Sequence, residues 1–407
     1  MNLKKRIPAI DWISNYKKSD FKFDLIAGLT VGVMLVPQGM AYALLAGVPP
    51  IYGLYAGIVP LFLYAILGTS MHLSIGPVAV SALLVLAGVG QVAEPFSEEY
   101  LSLVILAGLL IGIAQMTMSF LRLGFLVNFL SHPVIAGFTS AAAVIIAASQ
   151  LKYLLGVDIP RFHHFYETVG YAFSHISETN LLALGLGLGG MVLIAVLKKI
   201  NKNIPGALLT VIIGIALVYF FQLNKQGINI VGAVPQGLPK LIFPEISMAN
   251  IKLVLPTVLT VTLIGIVESI GIAKAIESKH DYYKVRPNQE LFALGVSKIV
   301  GSFFQSIPTS GSFSRSAINN ESGGKTGLSS IITAALIAIT LLFLMPLFYY
   351  LPEALLASII LLAVKGLFEY KEAIHLWKIH RNDFWMMIVT FVVTLGVGIE
   401  LGVLTGV

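Results

Sequence analysis

Apolar runs long enough to cross a bilayer recur along almost the whole of this 407-residue chain, separated by short polar connections. A helical crossing needs about 18 or more mostly apolar residues. Inside lipid no water satisfies an open backbone, so each run must close its own hydrogen bonds as a helix. That requirement sets aside a soluble globular fold before any single residue is considered. Composition agrees, with 57% hydrophobic and only 11% charged residues, where a soluble domain carries about 25% charged residues. The 38 glycines suit helices that pack closely in a membrane. The lack of cysteine excludes disulfides, thiol nucleophiles and thiolate metal sites.

The runs read as spans near 25–46, 51–68, 76–90, 101–121, 126–150, 181–197, 204–222, 253–273, 290–304, 312–320, 328–349, 352–364 and 383–398, with a final one beginning near 399. With the N-terminus cytoplasmic, nineteen Lys and Arg residues fall on inside segments and five outside, while Lys298 and Arg315 stay within spans. Such a bias orients membrane proteins, and it predicts a multi-pass protein of the inner (plasma) membrane with its N-terminus inside. It also accounts for the net charge of +6 without nucleic acid. Residues 1–24 read as a basic amphipathic surface segment leading into the first span.

The third and tenth spans are short. Each follows an extended, Pro- or Gly-punctuated stretch, "HLSIGPVAV" and "SIPTSGSFSRS". Interrupted segments at matching positions of two halves point to a transporter site built on inverted repeats. Two half-helices facing N-terminus to N-terminus offer unpaired N–H groups and partial positive charge, which suits an anion. Gly76 and Pro77 are expected to start the third span, proline being favoured in a first helical turn. Ser312, Ser314 and Ser316 would supply hydroxyls, and Arg315 a full charge. The blander reading is a Ser/Gly packing surface with an arginine reaching toward the interface.

Several long stretches are recognisable together. "PPIYGLYAGIVPLFLYAILGTSMHLSIGPVAVSALL" (Pro49–Leu84), "VPQGMAYALLAGVPP" (Val36–Pro50), "NQELFALGVSKIVGSFFQSIPTSGSFSRSAINNESGGKTGLSS" (Asn288–Ser330) and "LPEALLASIILLAVKGLF" (Leu351–Phe368) resemble the SulP family, the sulfate permeases and their prestin- and pendrin-like animal relatives. One departure is Met71, followed by His72, where the family pattern has Lys or Arg after Gly-Thr-Ser. The resemblance implies an all-α polytopic membrane protein with a uracil-permease-like 14-span fold of two inverted seven-span repeats and half-helices at spans 3 and 10. It implies a core domain at 25–122 and 251–350 and a gate domain at 123–250 and 351–407, working as a homodimer by an elevator-like slide. Most members carry a C-terminal cytoplasmic STAS domain. This chain ends at Val407, inside the fourteenth span, and reads as a fragment without it.

By the same resemblance, Gln38 and Tyr42, four apart and so on one helix face, border the substrate pocket. Gly76 and Val78 belong to the pocket at the third span. Phe313, Ser314 and Arg315 match tenth-span positions that touch the anion or lie beside it, and Ser312 adjoins them. Glu268, within the eighth span, is an intramembrane carboxylate and so a functional hypothesis by default. Ionised, it repels an anion; protonated or paired with Arg315, it admits one, which couples transport to a proton. The alternatives are a static ion pair with Arg315 or Lys274, or a carboxylate at a helix end facing water.

Other motifs fail. "GGKTG" (Gly323–Gly327) lacks the earlier glycine and the strand of a phosphate-binding loop. "GLGLGG" (Gly185–Gly190) lies within a span and reads as a packing seam. His163 and His164 read as surface loop, and "HRNDFW" as an interfacial turn. The expected function is secondary active transport of a small inorganic anion, sulfate first, coupled to protons rather than sodium. A passive anion channel or voltage-responsive prestin-like protein is the alternative, as is exchange or symport of bicarbonate, chloride or dicarboxylate. No enzyme chemistry, metal or cofactor is expected.

Overall fold

The computed structural model describes residues 7–128, 132–160, 162, 164–200 and 205–396. Lys4, Lys5, Arg6, Arg161, His163, Lys202 and the span expected near 399 lie outside the described residues. In chain order the elements are α1 (Ala9–Ser14), α2 (Phe21–Leu45), α3 (Pro50–Tyr55), α4 (Val59–Leu67), β1 (Ile75–Gly76), α5 (Ala79–Val89), α6 (Glu98–Phe120), α7 (His132–Ser149), α8 (Leu151–Leu155), α9 (Phe165–Ser174), α10 (Leu181–Ile200), α11 (Gly206–Phe221), α12 (Met248–Glu277), α13 (Pro287–Phe303), β2 (Ser310–Gly311), α14 (Phe313–Glu321), α15 (Leu328–Ile339), α16 (Glu353–Lys365), α17 (Tyr370–Ile379) and α18 (Arg381–Gly396). Among the described residues, seven helical segments are long and apolar enough to cross a membrane, and α5 and α11 are shorter apolar helices. The fold is all-α and polytopic, and its two-residue strands form one short antiparallel pair.

Two compact units divide the chain, the first formed by 1–129 and 235–344, the second by 130–234 and 345–407. In the first unit, α6 packs along α13 with very close backbones. A Cβ on Gly295 would meet the Met116 amide nitrogen at 2.7 Å and the Gly112 carbonyl oxygen at 2.8 Å. With lipid outside, such backbone approach replaces the hydrophobic drive that water gives a soluble core. α2 lies along α15, where the Thr333 hydroxyl donates to the Gly28 carbonyl at 2.8 Å. The second expected span is two helices, α3 and α4, broken at 56–58. The eleventh runs on from α15 through a π-turn at Thr340–Leu344.

In the second unit, α10 packs on α16 through part of the glycine seam. Gly187 and Gly190 face neighbours that a Cβ would crowd, whereas Gly185 and Gly189 face open space. The Ser358 hydroxyl donates to the Gly187 carbonyl at 2.6 Å across this contact. Between α16 and α18 stands a full helix, α17, and the turn expected at "HRNDFW" shrinks to His380, because Arg381–Trp385 already form the first turns of α18.

Candidate functional site

The two unwound stretches meet in the first unit. Ile75 pairs with Gly311 and Gly76 with Ser310, antiparallel, so the strands close each other's backbone hydrogen bonds inside a membrane domain. The Ser312 N–H extends the ladder to the Ser74 carbonyl at 3.0 Å. A half-helix leaves each strand. α14 begins at Phe313 with Ser312 as its N-cap, the cap hydroxyl accepting the Arg315 N–H at 3.4 Å. α5 begins at Ala79, not at Gly76 as expected. Gly76 is committed to the strand pair, and Val78 is extended, with φ −137° and ψ 153°, as the residue before the first turn. Pro77 therefore precedes the helix instead of opening it. The eleven residues of α5 rise only about 17 Å, too short to cross a bilayer alone.

Arg315 is fully buried, the largest side chain with that property among the described residues. Its Nη1 donates to the Gln38 Oε1 at 3.3 Å. Its Nε and Nη2 have no hydrogen-bond partner among the described residues. Nη2 points at Gly76, where an added Cβ would lie 3.1 Å away. Glycine at 76 thus leaves the guanidinium room against β1. Gln38 sits one residue after Pro37, within α2, and is buried, as is Tyr42 on the same face. The structure brings Gln38, Gly76 and Arg315 together. Phe313 and Ser314 turn to the exposed side of the first turn of α14, with Phe313 65% exposed. The Ser312 and Ser314 hydroxyls lie 3.3 Å apart. Val78 is buried beside the strand pair. Ser316, expected to offer a hydroxyl, faces away: it is buried and accepts the Ser74 N–H at 2.9 Å.

Glu268 projects from α12 toward β2. Its Oε2 accepts the Ser310 hydroxyl at 3.0 Å. The Ser310 oxygen lies 3.1 Å from the Ser269 hydroxyl, which accepts the Gly311 N–H at 2.8 Å. The Gly265 carbonyl, 3.4 Å from the Ser310 hydroxyl, is a second acceptor. No ion pair within 4.0 Å joins Glu268 to a basic group among the described residues; Lys274 pairs with Glu277 instead, at 2.7 Å. An ionised Glu268 accepts the hydrogen bond of the Ser310 hydroxyl. A protonated Glu268 donates to Ser310 and turns that hydroxyl toward Gly265. The carboxyl proton is in this way registered one residue from Gly311 and opposite Gly76.

Ser310 and Ser269 are unmarked by periodicity. The one clue is register, since an antiparallel pair beginning at Gly76 must present some residue of the second stretch opposite it. Other buried groups brace the site. Glu290 of α13 accepts the Tyr64 and Thr69 hydroxyls, the Thr69 N–H at 2.6 Å and the Ser70 N–H at 3.2 Å. Those contacts are the work of the Gly-Thr-Ser sequence before the third span. His72 follows in the connection. Its Nε2 donates to the Gly324 carbonyl at 2.9 Å, its Nδ1 accepts the Tyr283 hydroxyl at 3.0 Å, and its ring stacks on His280 at 4.5 Å. Asn319 of α14 donates to the His72 carbonyl at 3.1 Å. His72 thus secures the end of α14 farthest from Arg315.

The sulfate permease family model matches residues 21–390. Sulfate transporter 4.1, chloroplastic, of Arabidopsis thaliana is 45% identical over 409 residues, covering 98% of this chain and 59% of that protein. The sodium-independent sulfate anion transporter of Bos taurus is 37% identical, covering 99% of this chain and 71% of its own length. The chain spans about three fifths of the length of the plant relatives. In structure it is similar to the murine solute carrier 26 family member A9 anion transporter in the inward-facing state, with a TM-score of 0.93, 29% identity, and coverage of 100% of this chain and 70% of that one.

Proposed function

The chain belongs to the sulfate permease family, and from that premise we propose that it is a secondary active anion transporter that carries sulfate with protons. One observation carries the reading: a fully buried arginine beside the paired strands leaves two guanidinium nitrogens without a partner among the described residues, one of them facing Gly76. A buried, unsatisfied guanidinium is costly, and an anion at that point supplies the acceptors it lacks. At an effective dielectric of ~20, a unit charge pair ~5 Å apart gains about 3 kcal/mol, and a dianion about twice that. The half-helix N-termini add partial positive charge. Phe313 and Ser314, on the exposed side, are the groups an arriving anion meets first. Sulfate is the substrate named for the plant and bovine relatives.

Glu268 supplies the coupling. Its proton state decides which acceptor the Ser310 hydroxyl serves and how much negative charge faces the incoming anion. The core domain (spans 1–4 and 8–11) carries the site in an elevator-type cycle, and the protein works as a homodimer in the plasma membrane with its N-terminus cytoplasmic. The test is uptake of labelled sulfate into proteoliposomes. Accumulation driven by an imposed inward proton gradient, lost in Glu268→Gln while sulfate exchange persists, supports symport. Steady anion current with no accumulation supports conduction and overturns it. Sulfate protection of Arg315→Ala against heat equal to that of wild type would displace the site.

A further inference from the structure

The helix α17 stands between α16 and α18, which the sequence reads as the twelfth and thirteenth spans, and that reading puts both its termini at one membrane surface. It carries three stripes. Ala373 and Leu376 pack with Ala136, Phe384 and Met387 of the second unit. Tyr370, Ile374 and Trp377, spaced i, i+4, i+7 along one face, are 56%, 54% and 46% exposed. Lys371, His375 and Lys378 form the third stripe, with Lys365 and Arg381 flanking it, all exposed. The acidic groups of the segment, Glu369, Glu372 and Asp383, are only half-exposed. The outward charge is therefore predominantly positive. Arg381 lies over the Trp377 ring, 5.3 Å from its centroid, and ties the basic edge to the aromatic one.

An aromatic and aliphatic stripe is unfavourable in water, and a row of cations is unfavourable in hydrocarbon. One environment suits both, the boundary between headgroups and acyl chains. We infer that α17 is an interfacial helix that selects anionic phospholipids, with Lys371, Lys378 and Arg381 taking the headgroup phosphates and Tyr370, Ile374 and Trp377 seated below them. A net positive surface is selective, because a zwitterionic headgroup offers no net charge to attract it. The inference rests on the second unit alone and stands whether or not sulfate is the cargo.

The test uses the full chain in nanodiscs. Three tryptophans are present, and a Trp12→Phe/Trp385→Phe background leaves Trp377 as the only tryptophan of the chain, excited selectively over tyrosine. Bromine is placed on either phosphatidylglycerol or phosphatidylcholine at equal mole fraction, and quenching is compared. Brominated phosphatidylglycerol should quench more strongly at low salt, and the excess should shrink at high salt. Lys371→Gln, Lys378→Gln and Arg381→Gln together should lower the preference, by about fivefold for each charge near the surface. Quenching by brominated phosphatidylcholine should persist in that variant, which shows the helix still seated. Equal quenching by both lipids in the parent would overturn the selectivity. A preference untouched by the triple substitution would place it elsewhere. No quenching by either lipid would mean that protein, such as a second copy of the chain, covers the helix.

Discussion

Every buried charged side chain among the described residues, Asp24, Glu277, Glu290, Lys298 and Arg315, lies in the first unit. The buried polar side chains of the second unit are Ser140, Gln150, Thr210, Ser358, Thr390 and Thr394. Both units are built from apolar spans, yet they use the membrane differently. The second can be held by close packing and weak hydroxyl bonds, as lipid-embedded helices generally are. The first holds charges whose removal from water costs several kcal/mol each. It recovers that cost through dense hydrogen bonding at Glu290 and Asp24, and at Arg315 only in part. The teaching is that burial of charge is tolerated where partners are complete and is put to use where they are not.

The largest expected effect tests the complete case. Glu290→Ala leaves four donors without their carboxylate, and unfolding stability in detergent should fall by about 4 kcal/mol. Near-wild-type stability would mean the network is ornamental and the contrast between units is false. Next is pH. His72 lies in the connection between the second and third spans, and burial, followed by the nearby His280 and then Lys325, lowers its pKa from 6.5 to about 4. The unfolded chain then binds the proton more readily than the folded one. The stabilisation is full above pH ~6.5 and is lost as pH falls toward ~4, by roughly 3 kcal/mol in all. His72→Gln should flatten that part of the stability profile; an unchanged slope would assign it to other groups.

Arg315→Gln tests the incomplete case. Sulfate uptake should drop about 100-fold, from lost charge-assisted bonds worth ~1.5–3 kcal/mol each, while the protein remains folded. If uptake survives, the buried arginine serves the fold rather than the anion. The smallest effect belongs to the second unit. Ser358 donates to Gly187 and Ala354 carbonyls that also have helical partners, so Ser358→Ala should cost less than about 1 kcal/mol. A loss as large as that of Glu290→Ala would erase the distinction.

How much of this could be read in advance depends on the range of the interaction. Spans are local, so hydropathy located them within a few residues, and Gly and Pro marked the half-helices. Arg315 was legible because a charge in an apolar region is conspicuous. The start of α5 was not, because a strand pair across the fold, rather than the proline, decides where Gly76 stops and helix begins. Glu290, His72 and Ser310 were missed as parts of the site for a similar reason. Their partners lie 211 to 226 residues away for Glu290–Tyr64 and His72–Tyr283, and 42 for Ser310–Glu268. No helical or strand period carries such distances. α17 was overlooked because its apolar face is too short to register as a span.

Those separations also set a schedule for synthesis. Asp24 receives the Lys325 and Thr326 N–H groups at 2.7 and 3.0 Å, the latter 302 residues further along the chain. At about 5–20 residues per second, the ribosome needs roughly 15–60 s to supply them. Until then β1 has no strand to pair with, and of the earlier chain among the described residues only Tyr16 bonds Asp24, its hydroxyl 3.3 Å away in the finished fold. The opening spans must wait in the bilayer as an unfinished half, and the closing half assembles onto them. A polar core that makes the unit useful when complete makes it dependent, while it is being made, on whatever shelters open membrane segments.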